Sequence, residues 1–309
     1  MDGRLGTHAL IIVSGPASPT LSKRVAEALG ATSLHLEYKT FPDGETYIRF
    51  PESVAGKEVA VVQSCYPPQN RNLIDLMLML DAARDLRAKD IAAVVPYFAY
   101  ARQDDSYRSG EAVSAKTVAR LVEATGASHF LTVDVPSNKA LRYFTIHAEN
   151  LTCMNLMAAY LRTMGLERPY VLAPDDGAVP LAETASGALG TEYAWFEKSR
   201  DKVTGTISTS GKDVNLIGRD VVVVDDVIST GKTIASTAKI AKKQGARRVI
   251  AACAHLILTG DAGQTLKSAG VDQVVGTDSI ETEPRPVSIA PVIVEALRRI
   301  WREAQASGT

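Results

Sequence analysis

Eight short apolar runs, rich in β-branched residues, recur along the chain at His8–Ser14, Val59–Gln63, Ile91–Val95, His129–Val133, Tyr170–Ala173, Val221–Val224, Val249–Ala254 and Gln273–Gly276. They are continuous rather than alternating, the mark of strands covered on both faces. Helical patterns separate and follow them, at Ser18–Leu29, Asn70–Arg87, Ser114–Thr125, Asn155–Met164, Val179–Ala188, Thr233–Gln244, Gly260–Ala269 and Ala290–Ala304. Ser18-Pro-Thr-Leu and Ser114-Ala-Lys-Thr read as helix starts, and Gly126 and Gly245 as C-caps. Strand and helix in alternation predict parallel sheets with helices on both faces. The pattern occurs twice. The expected fold class is therefore α/β, with two tandem Rossmann-like domains, each a mostly parallel sheet flanked by helices. The expected domains are residues 1–150 and 151–309, with the break in Ile146–Leu156 and the last helix packing back on the first domain.

Bulk properties narrow the function classes. Of 309 residues, 46% are hydrophobic and 22% charged, enough for two cores of ordinary size. A net charge of −1, from 34 basic and 35 acidic residues, gives no electrostatic case for nucleic acid or an anionic membrane as partner. Cys65, Cys153 and Cys253 are widely spaced with no CxxC, which suits a reducing compartment rather than disulfides or zinc. The stretch MDGRLGTHALIIVSG has one short apolar run and no secretory signal pattern, and no run approaches the ~20 residues of a membrane helix. The expectation is a cytoplasmic, soluble protein.

In such sheets ligands bind at the carboxyl ends of the strands. After Val221–Val224 the chain reads Asp225-Asp226-Val227-Ile228-Ser229-Thr230-Gly231-Lys232-Thr233. Gly-Lys-Thr suggests a P-loop, but the glycine required five residues before Gly231 is Asp226. An acidic pair there would repel triphosphate. Hydroxyls on Ser229, Thr230 and Thr233, a tight turn at Gly231 and the amides opening the next helix suit one phosphate group. Asp225 and Asp226 suit sugar hydroxyls or a metal. Together they describe a ribose phosphate; a capped helix after a solvated acidic turn is the plain structural alternative.

The stretch resembles the phosphoribosyl-diphosphate-binding motif of type I phosphoribosyltransferases. By itself it leaves those enzymes and their relative, ribose-phosphate diphosphokinase, both open. Further segments resemble the diphosphokinase family in order and spacing: FPDGE at Phe41–Glu45, Asp81-Ala82-Ala83-Arg84, PYFAYARQD at Pro96–Asp104, Pro174-Asp175-Asp176-Gly177 and Lys198-Ser199-Arg200. The likeness runs from about Val13 to Thr277, and FPDGE and PYFAYARQD are specific to that family. Ser229 and the short loops look like archaeal members.

The resemblance implies two phosphoribosyltransferase-like domains and transfer of the diphosphoryl group of MgATP to the 1-hydroxyl of ribose 5-phosphate. It gives Lys198 and Arg200 as the cationic pair of a mobile catalytic loop. It puts ATP on Phe41, Asp43, Gly44, Glu45, Arg102, Gln103 and Asp104, and ribose 5-phosphate on Asp225, Asp226, Ser229, Thr230, Gly231, Lys232 and Thr233. Asp175 and Asp134 are the implied Mg²⁺ ligands. A dimer-based homo-oligomer sharing the ATP site between subunits is also implied. Departures are Pro136, where the family has a histidine, Leu181 in place of a frequent arginine, and Lys232 in place of a usual glycine. His147 stands near Pro136 in sequence. The lost histidine keeps a catalytically weak regulatory paralogue open as an alternative, and the shared loop keeps a phosphoribosyltransferase open.

Overall fold

The computed structural model describes residues 10–200, 207–211 and 214–306, with side chains described for all of these except 196–200, 207–211 and 302–306. Two compact units emerge. One comprises Met1–Thr152, Ser279–Glu281 and Ser288–Thr309, the other Cys153–Asp278 and Thr282–Val287.

The first unit contains β1 (Leu10–Ser14), α1 (Pro19–Leu29), β2 (Thr32–His35), a hairpin of β3 (Glu37–Thr40) and β4 (Thr46–Arg49), β5 (Glu58–Val62), α2 (Gln69–Asp85), β6 (Asp90–Val94), α3 (Ser114–Ala124), β7 (His129–Val133) and β8 (His147–Leu151). Its six-stranded sheet has the order β2-β1-β5-β6-β7-β8, parallel throughout. β1 and β5 are buried at every position, as their unbroken apolar runs require. Leu76, Met79 and Leu80 of α2 and Val118 and Val122 of α3 join the core with Phe130 of β7.

The second unit contains α4 (Met154–Arg162), β9 (Tyr170–Ala173), α5 (Val179–Leu189), β10 (Tyr193–Arg200), β11 (Ile207–Gly211), β12 (Asp220–Ile228), α6 (Lys232–Lys243), β13 (Arg248–Leu256), α7 (Ala262–Ser268) and β14 (Gln273–Val275). The final helix α8 (Ala290–Ala306) belongs to the first unit. The second sheet has the order β11-β10-β9-β12-β13-β14, with only β11 antiparallel. No helix among the described residues is long and apolar enough to cross a membrane. Cys65, Cys153 and Cys253 are buried and form no disulfide among the described residues.

All eight anticipated strands and eight helices are present, with ends moved by a few residues. The strands without a sequence signal are β2, β3, β4, β8, β10 and β11. β2, with a single buried residue, and β8, with one buried end, are edge strands; β3 and β4 are almost wholly exposed. β2, β3, β4 and β8 need no continuous apolar run, because none of these is buried along its whole length. The backbone around Lys198 and Arg200, read from sequence as part of a polar loop, forms one arm of a hairpin: Lys198 pairs with Thr209 and Arg200 with Ile207 across an antiparallel ladder. The polar composition of that segment hid a two-stranded extension of β10.

The amino ends of two inner strands carry acids that serve the fold. Asp220 opens β12 fully buried and accepts hydrogen bonds from Arg247 Nη2 (2.6 Å), Arg248 Nη2 (2.8 Å) and the Glu167 N–H (2.9 Å). Burial disfavours its charge, but these donors outweigh it and hold the carboxyl below its ordinary value. Asp90 opens β6. It is reached by His129 Nε2 at 3.2 Å, the Trp301 indole N–H at 3.1 Å and the Ser128 hydroxyl. Burial opposes ionisation, yet the bonds from His129 and Ser128 take its carboxyl down to about 2.

A carboxyl lowered in the fold stabilises above the unfolded carboxylate range, and that contribution is lost as pH falls through its folded value. Asp90→Ala should therefore lower stability to urea by about 2–3 kcal/mol at neutral pH. The gap to the parent protein should narrow steadily between about pH 4 and pH 2. A gap constant across that range would contradict the account.

Candidate active site

In the second sheet, β9 continues to β10 on one side and β12 to β13 on the other, so the chain direction of winding reverses between β9 and β12. Such a switch point opens a crevice at the strands' carboxyl ends. β12 is paired with β9 only at Val221–Val223, whereas on its other side it follows β13 through Ile228. Asp225 and Asp226 thus stand where β12 has lost one neighbour. Both are half-buried. Asp175, just beyond β9, accepts the Gly177 N–H at 3.2 Å and opens the 3-10 turn before α5.

These acids sense one another. The carboxyl of Asp225 is raised well above the ordinary range, first by burial, then by the negative charge of Asp226 and, further off, Asp175. A site that makes its own carboxylate reluctant to ionise is built for a partner that supplies positive charge or hydroxyl donors. Among the described residues no cluster of three or more side chains forms a ready metal cage.

Beyond Ile228 the chain turns into α6. Gly231 adopts φ +71°, the left-handed region, and a Cβ there would lie 3.0 Å from Leu266 Cγ on α7. Glycine is required on both counts. The first amides of α6 have no helical acceptor, and neither a capping side chain nor an acid in the first turn competes for them. Thr230 and Lys232 are exposed, and Ser229 and Thr233 half-buried. Ser229 Oγ lies 3.2 Å from Thr259 Oγ1. Thr259 was not anticipated. It follows β13 at the carboxyl edge of the same sheet, so the rule that found Ser229 would have found it.

In the first unit, the Phe41–Glu45 turn joins β3 to β4. Phe41 N–H donates to Glu45 O (2.8 Å), Gly44 N–H to Phe41 O (2.9 Å) and Glu45 N–H to Asp43 Oδ1 (3.2 Å), with Gly44 at φ +97°. Phe41 is 40% exposed, edge-on to Tyr47, with Lys39 Nζ 4.9 Å from its ring centre. The loop after β6 separates the residues of its Arg-Gln-Asp run. Arg102 is exposed, with no hydrogen-bonding or ionic partner among the described residues. Gln103 is tied to the start of α3, its backbone carbonyl accepting from Ala115 N–H (3.2 Å) and its side chain facing Ser114.

Asp104 differs from expectation. It is buried, accepts from the Ser137 and Tyr107 hydroxyls, and is held below its ordinary value chiefly by Ser137. Its geometry is that of a brace between two loops rather than an open ligand contact. Asp134 is also buried, at φ +39°, with its N–H on Leu151 O (2.8 Å). Arg84 of the Asp81–Arg84 segment pairs with Asp81 and donates to Ala124 O (2.9 Å), fastening α2 to the end of α3. His147 begins β8, in register with His129 at the amino ends of their strands. The loop with Pro136 leaves the opposite end of β7, so His147 does not replace the missing histidine. The side chains of Lys198 and Arg200 lie outside the described residues.

Fold and loops together define an α/β protein of two tandem phosphoribosyltransferase-type units. Residues 10–126 match the model for the N-terminal domain of ribose phosphate pyrophosphokinase, and residues 140–288 the phosphoribosyl transferase domain. A ribose-phosphate pyrophosphokinase of Methanothermobacter thermautotrophicus is 40% identical over 288 residues, covering 93% of this chain and all of that one. That of Sulfolobus acidocaldarius is 37% identical over 292 residues, covering 94% and 100%. The crystal structure of phosphoribosylpyrophosphate synthetase from Mycobacterium smegmatis superposes with a TM-score of 0.85 at 31% identity, over 95% of this chain and 99% of that one. The chain belongs to the ribose-phosphate pyrophosphokinase family, a family of enzymes.

Gly231→Ala should cost about 2–3 kcal/mol in chemical denaturation, from its left-handed backbone and the close approach of Leu266. A double-mutant cycle with Leu266→Ala should recover about 1 kcal/mol of that, the contact component. Additivity would show that backbone strain acts alone.

Proposed function

We propose that the chain transfers the diphosphoryl group of MgATP to ribose 5-phosphate, giving phosphoribosyl diphosphate and AMP. The 1-hydroxyl oxygen attacks the β-phosphorus, the bond from that phosphorus to the oxygen bridging the α-phosphate breaks, and the hydroxyl proton is lost to solvent or a base. The observation that carries this reading is the family match across both units; the interacting acids near the end of β12 and the hydroxyl-bearing turn with uncapped helix amides that follows fit its ribose 5-phosphate half.

In this reading the second unit holds ribose 5-phosphate. The amides opening α6 and the hydroxyls of Ser229, Thr230 and Thr233 take the phosphate. Asp225 and Asp226 take the ribose hydroxyls, and exposed Lys232 adds charge at the rim. The first unit holds ATP. Phe41 stacks on adenine, the Asp43–Glu45 turn reads its edge, and unpaired Arg102 meets the phosphates, while Gln103 and buried Asp104 keep that loop in place. The exposed turn fits a dimer-based homo-oligomer in which it completes a neighbour's ATP site. Asp134 in the first unit and Asp175 in the second would each serve as a ligand to Mg²⁺, which when bound neutralises the polyphosphate charge. Lys198 and Arg200 oppose the negative charge that grows on the transferred group.

Purified protein given MgATP and ribose 5-phosphate should produce AMP and phosphoribosyl diphosphate in equal amounts. Lys198→Ala should lower kcat by about 100- to 1,000-fold while leaving the Kd for ATP within about threefold, since its contact forms chiefly in the transition state. Absence of product from the parent protein would favour an inactive paralogue, the alternative that Pro136 keeps open. Equal losses in turnover and ATP binding would remove Lys198 from its role.

A further inference from the structure

The β3–β4 hairpin is a separate two-stranded ribbon outside the six-stranded sheet. Such a ribbon is barely stable by itself in water, so its attachment sets its direction. Its two faces differ. Lys39 and Tyr47 are cross-strand partners on the outer face with Phe41, whereas Tyr38, paired with Ile48, points the other way. On that inner side a chain of hydrogen bonds runs to α2. The Tyr38 hydroxyl donates to Asp75 Oδ2 at 3.0 Å and accepts from Arg71 Nη2 at 2.8 Å. Arg71 also donates to the Thr40 hydroxyl, next to Phe41. Asp75 is 1% exposed.

We propose that Asp75, Tyr38 and Arg71 form a positioning relay that fixes the angle at which the Phe41–Glu45 turn meets the adenine nucleotide. An apolar seat would let the ribbon slide; hydrogen bonds impose direction. The relay is anchored in the most buried carboxylate of α2 and ends one residue before Phe41. Beside it lies a cavity of about 480 Å³, lined by Gly44, Glu45 and Thr46 on one wall and Arg71, Ile74 and Leu78 on the other. Ile48, across the ribbon from Tyr38, packs on the core and holds the ribbon down, while the relay adds direction on the side that borders the cavity. Asp75 keeps its second oxygen, Oδ1, buried without a hydrogen-bond partner. Leaving a carboxylate so poorly satisfied costs stability, which fits a residue retained for direction rather than for the core.

This rests on the reading of Phe41 as the adenine-stacking residue, and the experiment separates the two. Steady-state kinetics are measured for Phe41→Ala, Tyr38→Phe, Asp75→Asn and Asp75→Ala in the full-length protein. Phe41→Ala should raise the KM for ATP; if it does not, the stacking reading fails and the relay has nothing to position. With that effect present, Tyr38→Phe and Asp75→Ala should raise the KM for ATP about 3- to 10-fold, with kcat and the KM for ribose 5-phosphate within twofold. Asp75→Asn retains an acceptor oxygen for Tyr38 and should restore most of the affinity lost in Asp75→Ala. An unchanged KM for ATP in Tyr38→Phe, or parallel losses in both substrates, would overturn the relay, as would Asp75→Asn behaving like Asp75→Ala.

Discussion

A parallel sheet must be covered on both faces, and the rest of this molecule depends on that constraint. Helices on both faces push every connection to the two ends of the strands, and because the strands run parallel each loop that leaves a strand for a helix does so at the carboxyl end. The acids in the later half of β12, the turn before α5 and the Arg102 loop all lie at carboxyl ends for that reason. The amino ends are left for fastening, and Asp90 and Asp220 do that work beneath Trp301 and between two arginines.

The two ends of β12 show how one residue type is turned to two uses. Asp220 and Asp225 lie on one strand, a few residues apart, and their carboxyls shift in opposite directions. Asp220 meets two guanidinium groups and a backbone N–H, so its charge is compensated within the fold. Asp225 meets burial and other acids, so its charge is left uncompensated among the acids that surround it. In the first unit the division is sharper still. Arg102 and Asp104 are two residues apart, yet one is open to solvent and the other is bolted to Ser137 and Tyr107.

What was legible in the sequence follows burial. β1, β5, β7, β9 and β12 announced themselves because strands covered on both faces are built mainly of apolar residues. β2, β3, β4 and β8 did not, since an exposed or edge strand carries no such demand. The segment at Lys198 and Arg200 reads as a loop from its polarity, but its backbone forms a ladder with 207–211. Gly231 was legible as a turn; that it must also make room for Leu266 was not, because α7 is thirty residues away.

The chain's own order of residues determined the α/β class, the number of helices, the loop after β12 and the exclusion of a P-loop, all through local spacing and unbroken apolar runs. Tertiary structure alone decided that Asp175 acts on Asp225, that Asp104 is buried against Ser137, that His147 stands at the wrong end of its strand to replace a histidine at Pro136, and that Tyr38, Arg71 and Asp75 meet. Each of those depends on where the fold brings segments distant in the chain, and no local pattern encodes that placement.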